Sequence, residues 1–417
     1  GTLLTRDSQI LAEGDARTPA TDLADVARET VGQLGPIPAE RQEALSALGV
    51  PADAKVGISG MERALDERLL GTPGGTLSAG GRTLATRTPR QAAAIRTTIA
   101  PSVERTAVTA LAGRLGGVVA LNPRTGELLA FAGIAFSGLQ PPGSTFKIIT
   151  LVGALQDGVA KESDTFPVQT AATLEGVQLS NANGESCGGT LANSFAESCN
   201  SVFAPLGARL GAARLVAVAE KFGFNAPPSI PGAATSTLPA AADVGDDLAV
   251  GSTAIGQGEV QATALQMASV AATVGLGGRK PRLTVAMDER VDNTKLKPVL
   301  DPSAARLAGR LMLDVVRYGT GTAAALPGVQ VAGKTGTAEL ESTRDCQPVE
   351  DDPESCQDVS NTADTDAWFA AFAPGGSTRG GAVTPRVAVG VMLVRAGAGG
   401  DVAAPVARQV LQSALGR

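Results

Sequence analysis

The pattern of apolar and polar positions changes character along the chain. Over residues 1–96 the signals are short and mixed. LLTRDSQILAEG alternates as strand, turn and strand, with Asp7-Ser8 at the turn. ATDLADVARETVGQL and PAERQEALSALG carry apolar residues at helical spacing, with Asp22 and Pro38 near their starts. GISGMERALDERLLGTPGG predicts a short helix closed by Gly71 and Pro73, and GTLSAGGRTLATR predicts a hairpin. From Thr97 the pattern is more regular. SVERTAVTALAGRL predicts a helix, and GGVVALNPRTGELLAFAG predicts two strands about an Asn-Pro-Arg-Thr-Gly turn. Residues 144–280 read as mostly helical, most clearly in ARLVAVAEKFGF and TALQMASVAATVG. VQVAGKTGT (329–337), DAWFAAFA (366–373) and RVAVGVMLVR (386–395) predict consecutive antiparallel strands, with APVARQVLQSAL a helix that packs on them. Helices inserted between strand groups predict an α+β fold. Its antiparallel sheet is covered by helices and joined by an all-helical lobe. This domain occupies 97–417, after a small pedestal or linker module over 1–96.

Composition narrows the function. A 417-residue chain with 43% hydrophobic residues can bury a sizeable core. Net charge is −6, aromatics are 3%, and no basic stripe occurs, which argues against nucleic acid as a partner. No run of about 18 apolar residues occurs, so the sequence as given contains no membrane-spanning stretch. It opens with Gly1-Thr2-Leu3-Leu4, without the charged and apolar regions of a signal peptide. There is no histidine and no CxxC, so a metal centre is not expected. The acidic EDDPES stretch, 350–355, reads as a solvated loop rather than a calcium site. Cys187, Cys199, Cys346 and Cys356 fall into two local pairs. They form two small disulfide loops if the protein is exported, and reduced thiols if it is cytosolic.

Candidate chemistry gathers at PPGSTFKIIT, residues 141–150. Pro142 marks a helix boundary, and Ser144 and Lys147, three residues apart, then share one face of the first turn. The free N–H groups and positive potential of a helix N-terminus favour negative charge developing there. With no histidine in the chain, lysine is the available base, provided burial or a second cation destabilises its ammonium. Lys334 in KTGT, 334–337, is a candidate for that cation. Thr335 and Thr337 lie on one side of the same strand and suit a carboxylate, and Gly336 between them clears space for close approach. Ser198-Cys199-Asn200 adds a hydroxyl able to pass a proton and an amide able to hold a substrate amide. Trp368 and Tyr318 read as packing residues. Each piece alone is common, but the ordered set SxxK, SxN, KTG is specific.

On these motifs the chain resembles the penicillin-binding proteins, and within them the class B, monofunctional D,D-transpeptidases of peptidoglycan assembly. The resemblance covers about residues 88–417 and includes TTIAPSVERTAVTAL, GSTAIGQGEVQATALQMA and VVRYGTGTAA; it reaches more weakly upstream into GISGMERALDERLLGTPGG. It implies a transpeptidase/β-lactamase-like fold and no cofactor. Ser144 would be the acylated nucleophile and Lys147 its base. Ser198 would relay a proton to the leaving amine, with Lys334 tuning it. Asn200 would hold the side-chain amide of a stem peptide, and Thr335 and Thr337 its terminal carboxylate. The backbone N–H groups of Ser144 and Thr337 would form the oxyanion hole. Implied partners are peptidoglycan stem peptides, β-lactams, a membrane glycan polymerase, and division or elongation proteins. The implied location is the extracytoplasmic face of the membrane, with an anchor preceding residue 1. An outward-facing domain favours the disulfides Cys187–Cys199 and Cys346–Cys356. The motifs also fit a D,D-carboxypeptidase, which differs only in using water as acceptor. A serine β-lactamase is disfavoured by the missing ExxLN pattern, and a β-lactam sensor lacks a visible signalling segment.

Overall fold

The computed structural model describes residues 1–340, 344–345, 357–358, 364–378 and 381–417. Cys346, Cys356 and the EDDPES stretch lie outside the described residues. The centre is a five-stranded antiparallel sheet of β1 (Gly116–Leu121), β2 (Leu128–Gly133), β3 (Ala332–Glu339), β4 (Thr365–Ala373) and β5 (Val387–Leu393), in the order β3-β4-β5-β1-β2. These strands are apolar almost throughout because both faces are covered. On one face, Val118, Ala120, Phe369, Val389 and Val391 pack with Val103 and Ala107 of α1 (Pro101–Leu111) and with the C-terminal helix Ala404–Ala414. On the other, Val119, Leu121, Trp368, Ala370 and Phe372 join the larger cluster of the helical lobe.

The chain leaves the sheet after β2, builds that lobe, and returns at the opposite edge as β3. The lobe is organised round α2 (Lys147–Gln156), buried continuously from Lys147 to Ala154. A helix apolar on all sides belongs inside a core. The lobe differs from the sequence reading in one respect. Thr165–Gln169 pairs with Cys187–Thr190, and Ala171–Leu174 pairs with Val177–Ser180. The second pair turns through Glu175-Gly176, with φ of 47° and 79°. Two left-handed residues make a two-residue hairpin turn, and a glutamate at the first is an unusual signal for it.

At the N-terminal end, Leu3–Leu4 pairs antiparallel with Ile10–Ala12, across a turn where Ser8 has φ 67°, and parallel with Ile95–Arg96. Leu3, Leu11, Leu23, Val26 and Met61 enter the same buried cluster as Val119, Leu121 and Phe131. The hairpin Gly75–Ala79 and Arg82–Arg87 is exposed along its whole length. Among the described residues, no single helix is long and apolar enough to cross a membrane.

Candidate active site

Ser144 sits in a single tight turn, Gly143–Phe146, which runs directly into α2. Two glycines allow that turn to lie against the edge strand. Gly143 has φ 51°, and a Cβ there would stand 2.6 Å from the Thr337 carbonyl oxygen. A Cβ on Gly336 would meet the Pro142 oxygen at 2.7 Å, Trp368 Cβ at 2.9 Å and Thr145 Cγ2 at 3.0 Å. Gly336 therefore makes room for the nucleophile turn, where the sequence had pointed to approach by a substrate. Gly256 and Gly399 are pressed as tightly: added Cβ atoms would fall 2.0 Å from Gly143 O and 2.2 Å from Gly336 O.

Lys147 is the first residue of α2 and is fully buried, while Ser144 is part-exposed. The Lys147 Nζ lies 3.0 Å from Ser144 Oγ, 3.2 Å from Ser198 Oγ, 2.5 Å from Ser198 O and 2.6 Å from Asn200 Oδ1. Two of these four oxygens, the carbonyl and the amide oxygen, can only accept. A neutral amine satisfies them with its two N–H bonds and turns its lone pair to the hydroxyls. Burial, followed by repulsion from Lys334, holds the Lys147 pKa well below the usual lysine range. The ammonium, with three N–H bonds, would be satisfied here as well, so it is burial and the neighbouring Lys334 that favour an amine able to take a proton.

The SxN segment is brought to Lys147 by a sharp turn. Helix α3 (Leu191–Ala196) ends at Glu197, Ser198 adopts φ 63°, and α4 begins at Asn200 and runs to Leu210. A left-handed serine is uncommon, and here its own carbonyl accepts the hydrogen bond from Lys147. Cys199 forms a disulfide with Cys187, Cα–Cα 5.7 Å, tying this turn to the neighbouring strand. Asn200 is engaged within the protein: its oxygen accepts from Lys147, and its Nδ2 donates to Ser180 O at 2.8 Å. The expectation that this amide is reserved for a substrate is thus modified, since one N–H is left for that purpose.

Lys334 is also fully buried, 5.6 Å over the Phe195 ring, with its Nζ donating to Thr335 O at 3.3 Å. Burial lowers its pKa to about 7, with the Glu197 carboxylate acting in the opposite direction. On the other side of β3 the hydroxyls are held by the protein. Thr335 Oγ1 lies 2.6 Å from Thr320 Oγ1, and Thr337 Oγ1 accepts from Gly399 N at 3.2 Å. Because β3 is at the sheet edge, its outer backbone groups face away from β4. Trp368 is fully buried, but Tyr318 is 52% exposed and is no packing residue. Thr320 and Gly399 carry no motif signal of their own, although Thr320 lies within VVRYGTGTAA. No group of three or more metal-ligating side chains occurs among the described residues.

Comparison with known proteins gives the family. The model of the penicillin binding protein transpeptidase domain matches residues 116–412. The chain is 33% identical over 358 residues to the peptidoglycan D,D-transpeptidase PbpA of Mycobacterium tuberculosis, covering 72% of this chain and 67% of that protein. Among solved structures, the D,D-transpeptidase domain of a peptidoglycan glycosyltransferase from Eggerthella lenta superposes with a TM-score of 0.76 at 28% identity, covering 100% of this chain and 98% of that one. The ceftriaxone acyl-enzyme complex of penicillin-binding protein A from M. tuberculosis matches with a TM-score of 0.65 at 30% identity, covering 78% and 81%. With the family model spanning most of the chain, the SxxK and SxN segments meeting at one buried lysine and the KTGT strand packed on the nucleophile turn, the protein belongs to the penicillin-binding protein transpeptidases.

Proposed function

We propose that this protein is a serine D,D-transpeptidase that cross-links peptidoglycan stem peptides through an acyl-enzyme on Ser144. The observation that carries the reading is the Lys147 amine, buried, held by two obligate acceptors and 3.0 Å from the Ser144 hydroxyl. Ser144 Oγ attacks the carbonyl of the penultimate D-alanine as its proton passes to Lys147. The C–N bond breaks, and the departing D-alanine amine receives a proton through Ser198, 3.2 Å from the same Nζ. The ester then reacts with the amine of a second stem, forming the cross-link and returning the proton to Ser144. The N–H groups of Ser144, at a helix start, and of Thr337, on the edge strand, serve the developing oxyanion. The hydroxyls of Thr335 and Thr337 take the terminal carboxylate, and the buried Lys334 cation attracts it at longer range. β-Lactams present the same carboxylate and carbonyl and acylate the same serine. On this reading the protein works at the outer face of the cell membrane, with an anchor and a glycan polymerase as its associates, and its likeness to cell-wall D,D-transpeptidases supports that location.

Intact mass after incubation with penicillin, for wild type beside Ser144→Ala, tests the assignment. A lasting adduct on wild type alone is expected. Rapid drug hydrolysis without an adduct indicates a β-lactamase, and an adduct surviving in Ser144→Ala removes the serine from its role.

A further inference from the structure

The lip of the site carries a carboxylate that the chemistry above does not use. Glu197 is exposed and directly precedes Ser198. Among the described residues no cation is paired with it. Tyr318 stands beside it: Thr320 N donates to Ala196 O at 3.1 Å, and Gly319 is packed so closely on Ala196 that a Cβ would lie 2.4 Å from that oxygen. The loop 318–320 is thereby clamped against the end of α3. Burial lowers the Lys334 pKa and the Glu197 carboxylate partly opposes it, while burial and Asp314 do most to raise the Tyr318 phenol and Glu197 adds to them. Glu197 therefore lies within electrostatic reach of the catalytic interior on one side and of the half-exposed ring on the other.

A transpeptidase has two substrates of opposite character. The donor ends in a carboxylate and meets Thr335 and Thr337 in the field of Lys334. The acceptor is a primary amine and arrives as a cation, whereas water needs no such attraction. From this juxtaposition we propose that Glu197 and Tyr318 form the acceptor subsite, drawing a cationic amine to the acyl-enzyme and favouring transfer over hydrolysis. The carboxylate concentrates ammonium at the mouth, and the ring offers its face to the same charge. The ammonium loses one proton to solvent. The neutral amine then attacks the ester carbonyl: a C–N bond forms, the C–Oγ bond to Ser144 breaks, and the second proton returns to Ser144 Oγ through Lys147. The inference rests on the transpeptidase reading.

The test is the partition of one acyl-enzyme. A stem-peptide thioester acylates wild type, Glu197→Gln, Glu197→Asp and Tyr318→Leu in the presence of a cationic primary amine or of hydroxylamine, which is uncharged near neutrality. The aminolysis-to-hydrolysis ratio is read by mass spectrometry, so any change in acylation rate cancels. Glu197→Gln should lower the ratio for the cationic amine about fivefold, the scale of one exposed ion pair, and leave hydroxylamine transfer as it was. Glu197→Asp should retain most of the ratio, Tyr318→Leu should lose part of it, and added salt should erode the wild-type advantage. An unchanged ratio in Glu197→Gln, or an equal fall with both nucleophiles, overturns the proposal. Failure of wild type to form any acyl-enzyme overturns the transpeptidase reading beneath it.

Discussion

Replacing Lys334 with methionine should make the protein more stable and inactive. Burial lowers the lysine pKa from 10.5 to about 7. A displacement of that size corresponds to about 5 kcal/mol of disfavoured charge. Methionine keeps the apolar stem and removes the charge. Against this, the variant loses the cation over the Phe195 ring at 5.6 Å, about 1–2 kcal/mol, and the long hydrogen bond to Thr335 O. A net gain of about 1–3 kcal/mol follows near neutral pH. The gain has a pH signature. A folded-state pKa below the unfolded value means the folded protein binds fewer protons between the two, so wild-type stability rises with pH across that interval. The difference between the two proteins should be constant below about pH 7 and shrink by about 1.4 kcal/mol per pH unit above it, so that the variant's advantage is gone about one to two units higher and wild type is the more stable near 10.5. Urea unfolding from pH 6 to pH 10, followed through the chain's single tryptophan, Trp368, measures this. Penicillin acylation of the variant should fall by at least about a hundredfold. A variant less stable than wild type at pH 7, or a stability difference independent of pH, would refute the argument.

Acylation in wild type should follow a bell-shaped pH profile, because it requires cationic Lys334 and neutral Lys147. The rate should decline as pH rises through about 7, where Lys334 loses its proton, and also at lower pH as Lys147 gains one; stopped-flow acylation against pH reads both limbs. Gly336→Ala should slow acylation more than tenfold, since its Cβ would stand 2.7 Å from Pro142 O and force the nucleophile turn off β3, with about 1–3 kcal/mol lost in unfolding experiments. The Cys187→Ser, Cys199→Ser double variant should lose about 3 kcal/mol through release of a short loop. It should also acylate more slowly, because Cys199 sits between Ser198 and Asn200; unimpaired acylation would mean the turn holds itself.

Where side chains obey local rules, the sequence was readable. The Pro-Pro-Gly boundary before Ser144, the three-residue step to Lys147, and the alternation of the KTGT strand are short-range features, and the structure places their side chains accordingly. The sheet was readable for the same reason, since each of its strands is a compact apolar run. What escaped depends on distant backbone. Nothing near Gly336 announces Pro142, which reaches it only after the chain has built the whole helical lobe. Asn200 gives no hint that Lys147 and Ser180 will claim its amide from two directions. Tyr318 looked like core because aromatics usually are, yet the clamp on Gly319 leaves its ring at the surface. The Glu175-Gly176 turn was hidden because its first residue lacks the usual preference for left-handed backbone.

The glycines around the nucleophile turn restrict how this site can evolve. Any base change in a glycine codon that alters the amino acid introduces a Cβ, and at residues 143, 256, 336 and 399 that atom would sit within 2.0–2.7 Å of a backbone oxygen. No single mutational step at these four positions is conservative. Selection for altered drug or substrate preference is thereby channelled to the lip, where Glu197 and Tyr318 can vary without disturbing the turn that carries Ser144.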